Sequence, residues 1–229
     1  MAKGKQKAAD SDTLVDIEHV KGGSISAANW FEQNQKLVTN IVIGIAALVA
    51  IYMAYKYLYM GPREMEAVNE MYVAEEQFAK DSFALALENP GGGFKGFIGI
   101  IDEYSGTKAA NLAKYYAGVS YLNLGKFEDA IQYLEDYSAK DEVTTATKAG
   151  ALGDAYAEKG DKDKAMTMYK KASAFENDML TPYYLHKIAM MYYADGKTKE
   201  ALEQLEVIKN KYPTSPEKDM AERLIARLQ

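Results

Sequence analysis

The chain has 229 residues, of which 48% are hydrophobic and 26% are charged, a composition that is ordinary for a folded domain. Its net charge of −6 excludes the basic surface that nucleic-acid-binding proteins need. It contains no cysteine and two histidines, His19 and His186, so disulfides are excluded and a transition-metal site has almost no ligands to draw on. We therefore predict no nucleic-acid partner, no metal and no cofactor.

The first 28 residues are rich in Lys, Ala, Gly, Ser and Asp and lack a sustained apolar period. Such a composition cannot bury enough apolar surface to form a core, which predicts a flexible tail over residues 1–28. Overlapping its end, residues 25–36 have the pattern of a short amphipathic helix on a membrane surface, capped by Ser26.

Residues 37–55 form a run of 19 residues without a charged side chain. As a helix this run is roughly 28 Å long, close to the hydrocarbon thickness of a bilayer. It is apolar on all sides, unlike a core helix, and no small-residue cleavage site of a signal peptide follows it. Aromatic side chains flank it as in membrane-interface belts: Trp30, Tyr52, Tyr55, Tyr57 and Tyr59. We predict a pre-span segment and an uncleaved transmembrane helix over residues 29–59, with residues 37–55 in contact with lipid.

Positive charge is concentrated before this segment. Five lysines precede it, whereas Lys56 and Arg63 alone follow it closely. The positive-inside rule therefore predicts a single-pass protein with a cytoplasmic N-terminus and an exported C-terminal part. Residues 1–56 carry a net charge of +1 and the remainder a net charge of −7, so the exported part is acidic.

Residues 60–110 are predicted to contain a linker helix and a degenerate leading helical pair. A helix is expected over residues 63–88 and a shorter one over residues 94–104, separated by Asn89, Pro90 and three glycines. The triple glycine lacks the Lys-Ser/Thr pair of a phosphate-binding loop, which favours an interhelical turn. Five residues are expected to form the buried stripe of the linker helix: Met65, Val68, Met71, Tyr72 and Phe78.

Three later segments share one skeleton, whose positions recur after 35 and then 36 residues. A small residue allows two helices to approach closely, a Tyr three residues later lies on the same face, and a Gly four further on ends the helix. An Ala then marks the close crossing of the second helix. The matching sets are Gly118, Tyr121, Gly125 and Ala130; Gly153, Tyr156, Gly160 and Ala165; Ala189, Tyr192, Gly196 and Ala201.

This spacing resembles the tetratricopeptide repeat family over three repeats, residues 111–215. Tyr137 and Ile208 depart from the Ala that the family usually has, and only the third repeat keeps a terminal proline, Pro213. Residues 216–229 are predicted to form the capping helix that a solenoid needs at its open end, with Met220, Leu224 and Leu228 on its packing face. The predicted fold class is an all-α tetratricopeptide-repeat solenoid, with a leading helical pair and a capping helix, after one transmembrane helix.

The residues that could carry catalysis or bind calcium have simpler interpretations. Asp161 and Asp163 lie in the turn between two repeat helices, and the remaining ligands of a calcium loop are missing. His186 has no Asp or Ser partner placed by sequence, and no set of nucleophile, base and oxyanion donors is present. We predict that the protein is not an enzyme.

In tetratricopeptide arrays the first helix of each pair lines a concave groove that binds peptides. The resemblance places nine residues there: Tyr115, Val119, Leu122, Asn123, Asp154, Tyr183, His186, Met190 and Tyr193. Most are aromatic or apolar, which favours a non-polar polypeptide, although any of them could instead pack between repeats. The carboxylate-clamp subclass needs Lys and Asn where this chain has residues such as Tyr115, Gly150 and Met190, so a clamp is not predicted.

Over about residues 28–229 the layout resembles the ancillary subunit of the bacterial Sec translocon. The resemblance rests on NWFEQNQK before the span, one apolar helix with a linker helix, and the FIGIIDEYSGTKAANLAKYYAGVSYLNLGKFEDAIQYLE entry to the repeats. It implies an inner-membrane protein with a periplasmic repeat domain. Its implied partners are translocon subunits, a periplasmic chaperone or prolyl isomerase, and exported clients. The alternative is a tetratricopeptide scaffold subunit of another cell-envelope assembly or secretion complex.

Overall fold

The computed structural model describes residues 29–229, which fall into two compact units that meet in sequence between Tyr59 and Met60. In the first unit residues 29–33 are helical, and helix α1 spans Gln35–Ala54 without a buried residue. A π-helical segment follows over Tyr55–Met60. The predicted tail of residues 1–28, with the Ser26 cap, lies outside the described residues.

The second unit begins with three helices that precede the repeats. They are α2 (Gly61–Ala79), α3 (Phe83–Glu88) and α4 (Phe97–Glu103). The single helix predicted over residues 63–88 is wrong, because the chain turns at Asp81, which has a φ of 56°, and then starts α3. The three consecutive glycines after Pro90 all have positive φ and form the turn that was predicted there.

The predicted buried stripe of the linker helix is also largely wrong. Met71 is buried and Phe78 packs against the core, but Met65, Val68 and Tyr72 have exposed fractions of 71%, 51% and 66%. The buried face of α2 instead consists of Ala67, Met71 and Ala74. Small alanines let α2 lie close to its neighbours, and a pattern of large apolar residues does not show this.

Three helix pairs and a final helix complete the second unit. The pairs are α5 (Lys108–Asn123) with α6 (Phe127–Asp136), α7 (Glu142–Glu158) with α8 (Lys162–Ala172), and α9 (Leu180–Ala194) with α10 (Thr198–Lys211). Helix α11 spans Glu217–Leu228 and packs on α9 and α10. Consecutive helices contact one another from α2 to α11, and the described residues contain no strand.

The close contacts within each pair occur where the repeat skeleton predicts them. A Cβ atom on Gly118 would lie 2.6 Å from Leu134 Cγ, and one on Gly153 would lie 2.6 Å from Tyr169 Cδ1. The matching alanines of the second helices are fully buried: Ala130, Ala165 and Ala201. The expected role of the small residues is confirmed, because no larger side chain fits between these helices.

Glycines and capping residues define the helix ends. Gly125, Gly160 and Gly196 have φ values of 71°, 87° and 74°, the left-handed conformation predicted for the end of each first helix. Asp161, the candidate calcium ligand, accepts a hydrogen bond from the Lys164 amide at 3.2 Å and caps α8. Asp141 caps α7 in the same way, at 2.8 Å from the Thr144 amide.

The packing face of the capping helix α11 differs from the prediction. Ala221 and Ile225 are the buried residues, and Leu224 and Leu228 pack beside them at the edge of the core. Met220, predicted on this face, is 41% exposed. The buried face of α11 therefore lies at a different angle around the helix from the predicted one, because the small Ala221 makes the closest contact with the core.

A carboxylate from the linker helix joins it to the first repeat. Glu64 on α2 accepts hydrogen bonds from the amides of Lys108 at 2.7 Å and Ala109 at 3.0 Å. These amides are unpaired within α5 because they lie in its first turn, and a negative charge is favourable there. The side chain of Thr107 caps the same helix through the Ala110 amide at 3.0 Å.

Candidate partner-binding groove

The nine predicted groove residues lie on the first helices of the three pairs, α5, α7 and α9. Register places equivalent residues at the same point of each helix, so that Val119, Asp154 and Met190 correspond to one another. The structure separates the nine into two packed and two cleft-lining residues on α5, a hydrogen-bonded centre on α7 and an open face on α9.

Two of the predicted residues on α5 pack between repeats. The Tyr115 ring lies 5.4 Å from the Tyr137 ring. Burial raises the pKa of Tyr115, and a hydrogen bond with Thr147 offsets part of this rise. Val119 packs in the small cluster formed by Leu134, Ala151 and Leu152. Both side chains are half-buried. They therefore contribute mainly to packing at the junction between the first and second repeats, and little of their surface is accessible to a partner.

The junction between the second and third repeats depends on a glycine. A Cβ atom on Gly150 would lie 2.0 Å from the hydroxyl oxygen of Tyr184 on α9. Tyr184 is 6% exposed and stacks on Tyr169, with 6.4 Å between ring centroids. Burial raises the pKa of Tyr184, and nearby Tyr115 and Asp154 raise it further. Gly150, at a clamp position of the family, therefore serves packing in this chain.

An ion pair lies at the centre of the groove. Asp154 Oδ1 accepts hydrogen bonds from Lys187 Nζ and from the Tyr169 hydroxyl, both at 2.6 Å. Lys187 also lies over the rings of Tyr169 and Tyr183, at 5.5 Å and 5.1 Å from their centroids. Burial and the Asp154 carboxylate both raise the pKa of Tyr169. Burial lowers the pKa of Lys187, but the bonds to Asp154 and Tyr183 outweigh it and raise the pKa overall.

A cleft of about 500 Å³ opens beside this ion pair and brings three of the predicted residues together, Leu122, Asn123 and Asp154. Sequence reasoning missed Lys187 and Tyr169, which also line it. A signal for Lys187 was present, because it is the single Asp, Glu, Lys or Arg residue in Leu180–Ala194. A half-buried charge favours a partner of opposite charge, and Asp154 lies on α7, the first helix of the preceding pair.

The outer face of α9 is open and apolar. Tyr183 and Met190 are 42% and 40% exposed, and Met179, immediately before the helix, is 80% exposed. His186 and Tyr193 lie half-buried on the same face, at the alternating spacings of four and three residues that define one side of a helix. Burial lowers the pKa of His186, and the negative charge of Glu217, which raises it, offsets this effect only in part. The exposed apolar side chains among the nine, Tyr183 and Met190, therefore lie on α9, whereas the exposed residue on α5 is the polar Asn123.

The described residues contain no group of three or more His, Asp or Glu side chains placed to hold a metal ion. A further cleft of about 610 Å³ is lined by the turn before α5 and by the α6–α7 connection. None of the nine predicted residues lines that cleft, so it is separate from the groove.

Family models for the tetratricopeptide repeat match residues 112–141 and 183–215, and a second such model matches residues 150–178. The chain contains tetratricopeptide repeats. The all-α solenoid predicted from the sequence is confirmed. Such repeats are protein-interaction modules and are typically non-catalytic.

Among solved structures, the chain is similar to a crystal structure of nearly identical tetratricopeptide-like repeats from a Podospora anserina protein assigned as a kinesin light chain. The two are 16% identical, the match covers 72% of this chain and 85% of that one, and the TM-score is 0.56. At this identity the similarity shows the fold alone. No curated protein matches the chain.

Proposed function

We propose that the chain is a membrane-anchored protein-interaction module, accessory to Sec-dependent export and to periplasmic folding. In this proposal residues 37–55 cross the bacterial inner membrane with the N-terminus in the cytoplasm. The repeats lie in the periplasm. The groove binds a translocon subunit, a periplasmic chaperone or prolyl isomerase, or an exported client.

The character of α1 supports the anchor. Helix α1 provides the stretch of the described chain that is long and apolar enough to cross a membrane, and none of that stretch is buried. A core helix of a soluble domain would be covered by protein on at least one side. The exposed residues of α1 include Ile45, Leu48 and Ile51, at 57%, 68% and 67%, which water solvates poorly and lipid solvates well.

The open face of α9 carries the proposal that the groove binds unfolded or partly folded polypeptide. Its exposed side chains are those of Met179, Tyr183 and Met190, which carry no formal charge. Methionine adapts its shape to different apolar partners, and tyrosine combines a large apolar ring with a polar tip. A surface of this kind accepts many sequences, as a client-binding site must.

The central ion pair supports the same choice of partner. Lys187 is the cation of the open end of the groove, and its ammonium group is already bonded to Asp154 at 2.6 Å. A peptide carboxylate would have to displace Asp154 and leave that carboxylate without its cation. The groove therefore favours non-polar segments over acidic chain ends.

Photo-crosslinking in native membranes tests the proposal. A photoreactive amino acid is placed at Tyr183 or Met190 in the groove, and separately at Ile45 in α1, and the adducts are identified by mass spectrometry. Glu203, an exposed residue on α10, is the matched control outside the groove. We expect translocon subunits from Ile45 and many exported chains or a periplasmic chaperone from the groove, with few adducts from Glu203.

A single stoichiometric envelope protein at Ile45 and at the groove, without any translocon subunit, would overturn the export role. That result would support the alternative, a scaffold subunit of another cell-envelope assembly.

A further inference from the structure

The cleft of about 500 Å³ beside the central ion pair combines apolar walls with carboxylates. Leu122 on α5 and Phe127 at the start of α6 line it and are half-buried. Asp154 and Glu158 line it from α7, where a spacing of four residues places them one turn apart on the same side of the helix. A side chain that enters this cleft therefore meets hydrocarbon and negative charge together.

Half of the Asp154 carboxylate is still open to a partner. Lys187 Nζ and the Tyr169 hydroxyl both bond to Oδ1, each at 2.6 Å. Oδ2 accepts no hydrogen bond from the described residues, and it is accessible from the surface. A carboxylate oxygen forms its strongest hydrogen bonds with charged donors, so this oxygen favours a cation.

Glu158 adds a second open carboxylate to the cleft. It is exposed, and within the described part of the chain no side chain or amide bonds to it. Its charge reaches the ion pair, because Glu158 contributes, after burial and Asp154, to raising the pKa of Tyr169. The two carboxylates therefore act on the same small region.

No free lysine neutralises this region. The lysines that neighbour cleft residues in the sequence do not line the cleft and are engaged elsewhere: Lys126 lies 5.5 Å from the Tyr121 ring centroid, Lys159 is paired with Glu128 at 2.9 Å, and Lys162 is paired with Asp195 at 2.8 Å. The charged residues that line the cleft are Asp154, Glu158 and Lys187, which together carry a net charge of −1.

We propose that this cleft binds the side chain of a lysine or arginine of the polypeptide held in the groove. The inference rests on the proposed function, and it narrows the partner to apolar segments that carry a basic residue. One added cation makes the cleft neutral, whereas an added carboxylate would double its negative charge. The aliphatic stem of the basic side chain packs on Leu122 and Phe127, and its charged group bonds to Asp154 Oδ2 and Glu158.

Lys187 shows that the surroundings of Asp154 hold a cation well. Its ammonium group bonds to Oδ1 and lies 5.5 Å and 5.1 Å from the ring centroids of Tyr169 and Tyr183. These contacts fix the position of the carboxylate before a partner arrives, which lowers the entropy lost on binding. The Tyr169 ring also lines the cleft, so a second cation meets groups of the same kind.

A pair of peptides tests the inference on the purified full-length protein in detergent. Both peptides consist of Leu, Tyr, Ser and Gly with blocked ends and a neutral dye, and they differ only in one central residue, arginine or citrulline. Citrulline keeps the shape of arginine without its charge. Fluorescence anisotropy measures the two affinities, and we expect the arginine peptide to bind at least ten times more tightly.

Three variants locate the source of this preference. Glu158→Gln should reduce it to less than threefold, whereas Glu203→Gln, the same change on α10 outside the groove, should leave it at tenfold or more. Lys187→Met removes the internal cation and should raise the preference to at least thirtyfold, because the cleft then carries two uncompensated carboxylates. If Lys187 served packing alone, its loss would weaken both peptides alike.

The outcomes separate this inference from the proposed function. Equal affinities of the two peptides would overturn the inference and leave a groove that binds apolar segments regardless of charge. An arginine preference that survives Glu158→Gln unchanged would also overturn it, because the cation would then be bound elsewhere. Failure of both peptides to bind would overturn the client-binding function itself, and the inference with it.

Discussion

Helices α5 and α9 occupy equivalent places in the first and third repeats, yet they present their matching residues differently. Val119 on α5 packs against Leu134 and Leu152, whereas Met190 at the same register on α9 is 40% exposed. The second repeat follows α5 and covers it, but α11 packs on α9 without covering Met190. The accessibility of a groove position is therefore decided by the element that follows, which is why the binding face proposed here lies on α9.

The largest expected effect comes from forcing open the covered junction. Gly150→Val places a branched side chain where the Tyr184 hydroxyl lies 2.0 Å from the Cβ position. Overpacking of this kind should lower the free energy of unfolding by about 3 kcal/mol or more, with a fall in Tm of roughly 6–12 °C. Urea unfolding followed by circular dichroism measures it.

Ala157→Val on the exposed side of the same helix is the control and should cost less than about 1 kcal/mol. Similar losses in both variants would contradict the close contact between Gly150 and Tyr184.

A matched pair of charge substitutions tests the contrast between the two helices directly. Val119→Asp buries a carboxylate in an apolar cluster and should cost about 2 kcal/mol, because the charge loses water without gaining a partner. Met190→Asp remains in water and should change stability by less than about 0.5 kcal/mol. Chemical denaturation of both variants measures the difference, and equal costs would show that Met190 is covered in the folded protein.

The Met190→Asp substitution also tests the proposed binding face. Met190→Asp should remove most photo-adducts formed from Tyr183, since it places a charge in the apolar face. Unchanged adducts in that variant would exclude this face from the binding site.

The tyrosines of the covered junction predict a loss of stability at high pH. Burial raises the pKa of Tyr184 in the folded protein, so above about pH 10 the unfolded chain releases this proton first. The unfolded state then binds fewer protons, and stability falls as the pH rises, by up to about 1.4 kcal/mol per pH unit for each such tyrosine. Urea unfolding between pH 9 and pH 11 should show a shallower decline in Tyr184→Phe, and an identical decline would contradict the assignment.

A modest loss of stability is expected from breaking the ion pair in the groove. Lys187→Met keeps the aliphatic stem but removes the charge that faces Asp154, and it should cost about 1 kcal/mol, because both side chains remain partly in water. In a double-mutant cycle, Asp154→Asn combined with Lys187→Met should cost less than the sum of the two single substitutions. Additive costs would show that the two side chains act independently.

The sequence predicted the repeat array well because its determinants are single residues with one possible role. Gly118 and Gly153 admit no side chain, and Gly125, Gly160 and Gly196 adopt a backbone conformation that other residues avoid. Such requirements can be read without knowing what lies on the other side of the contact.

Predictions based on apolar stripes succeeded less well. Met65, Val68 and Met220 were expected in the core and are exposed, while Ala67, Ala74 and Ala221 hold the buried places. Alanine is compatible with both core and surface, so periodicity alone could not assign the face. The sequence could not separate packed from exposed groove positions for a related reason, since Val119 and Met190 share a register and only the surrounding helices distinguish them.

The hydrogen bonds of Glu64 have a mechanical consequence. They connect α2 to the first turn of α5, although 44 and 45 residues separate the bonded groups along the chain. Tension applied at the beginning of α2 is therefore transmitted to the repeats through this bond and the alanine contacts beneath it.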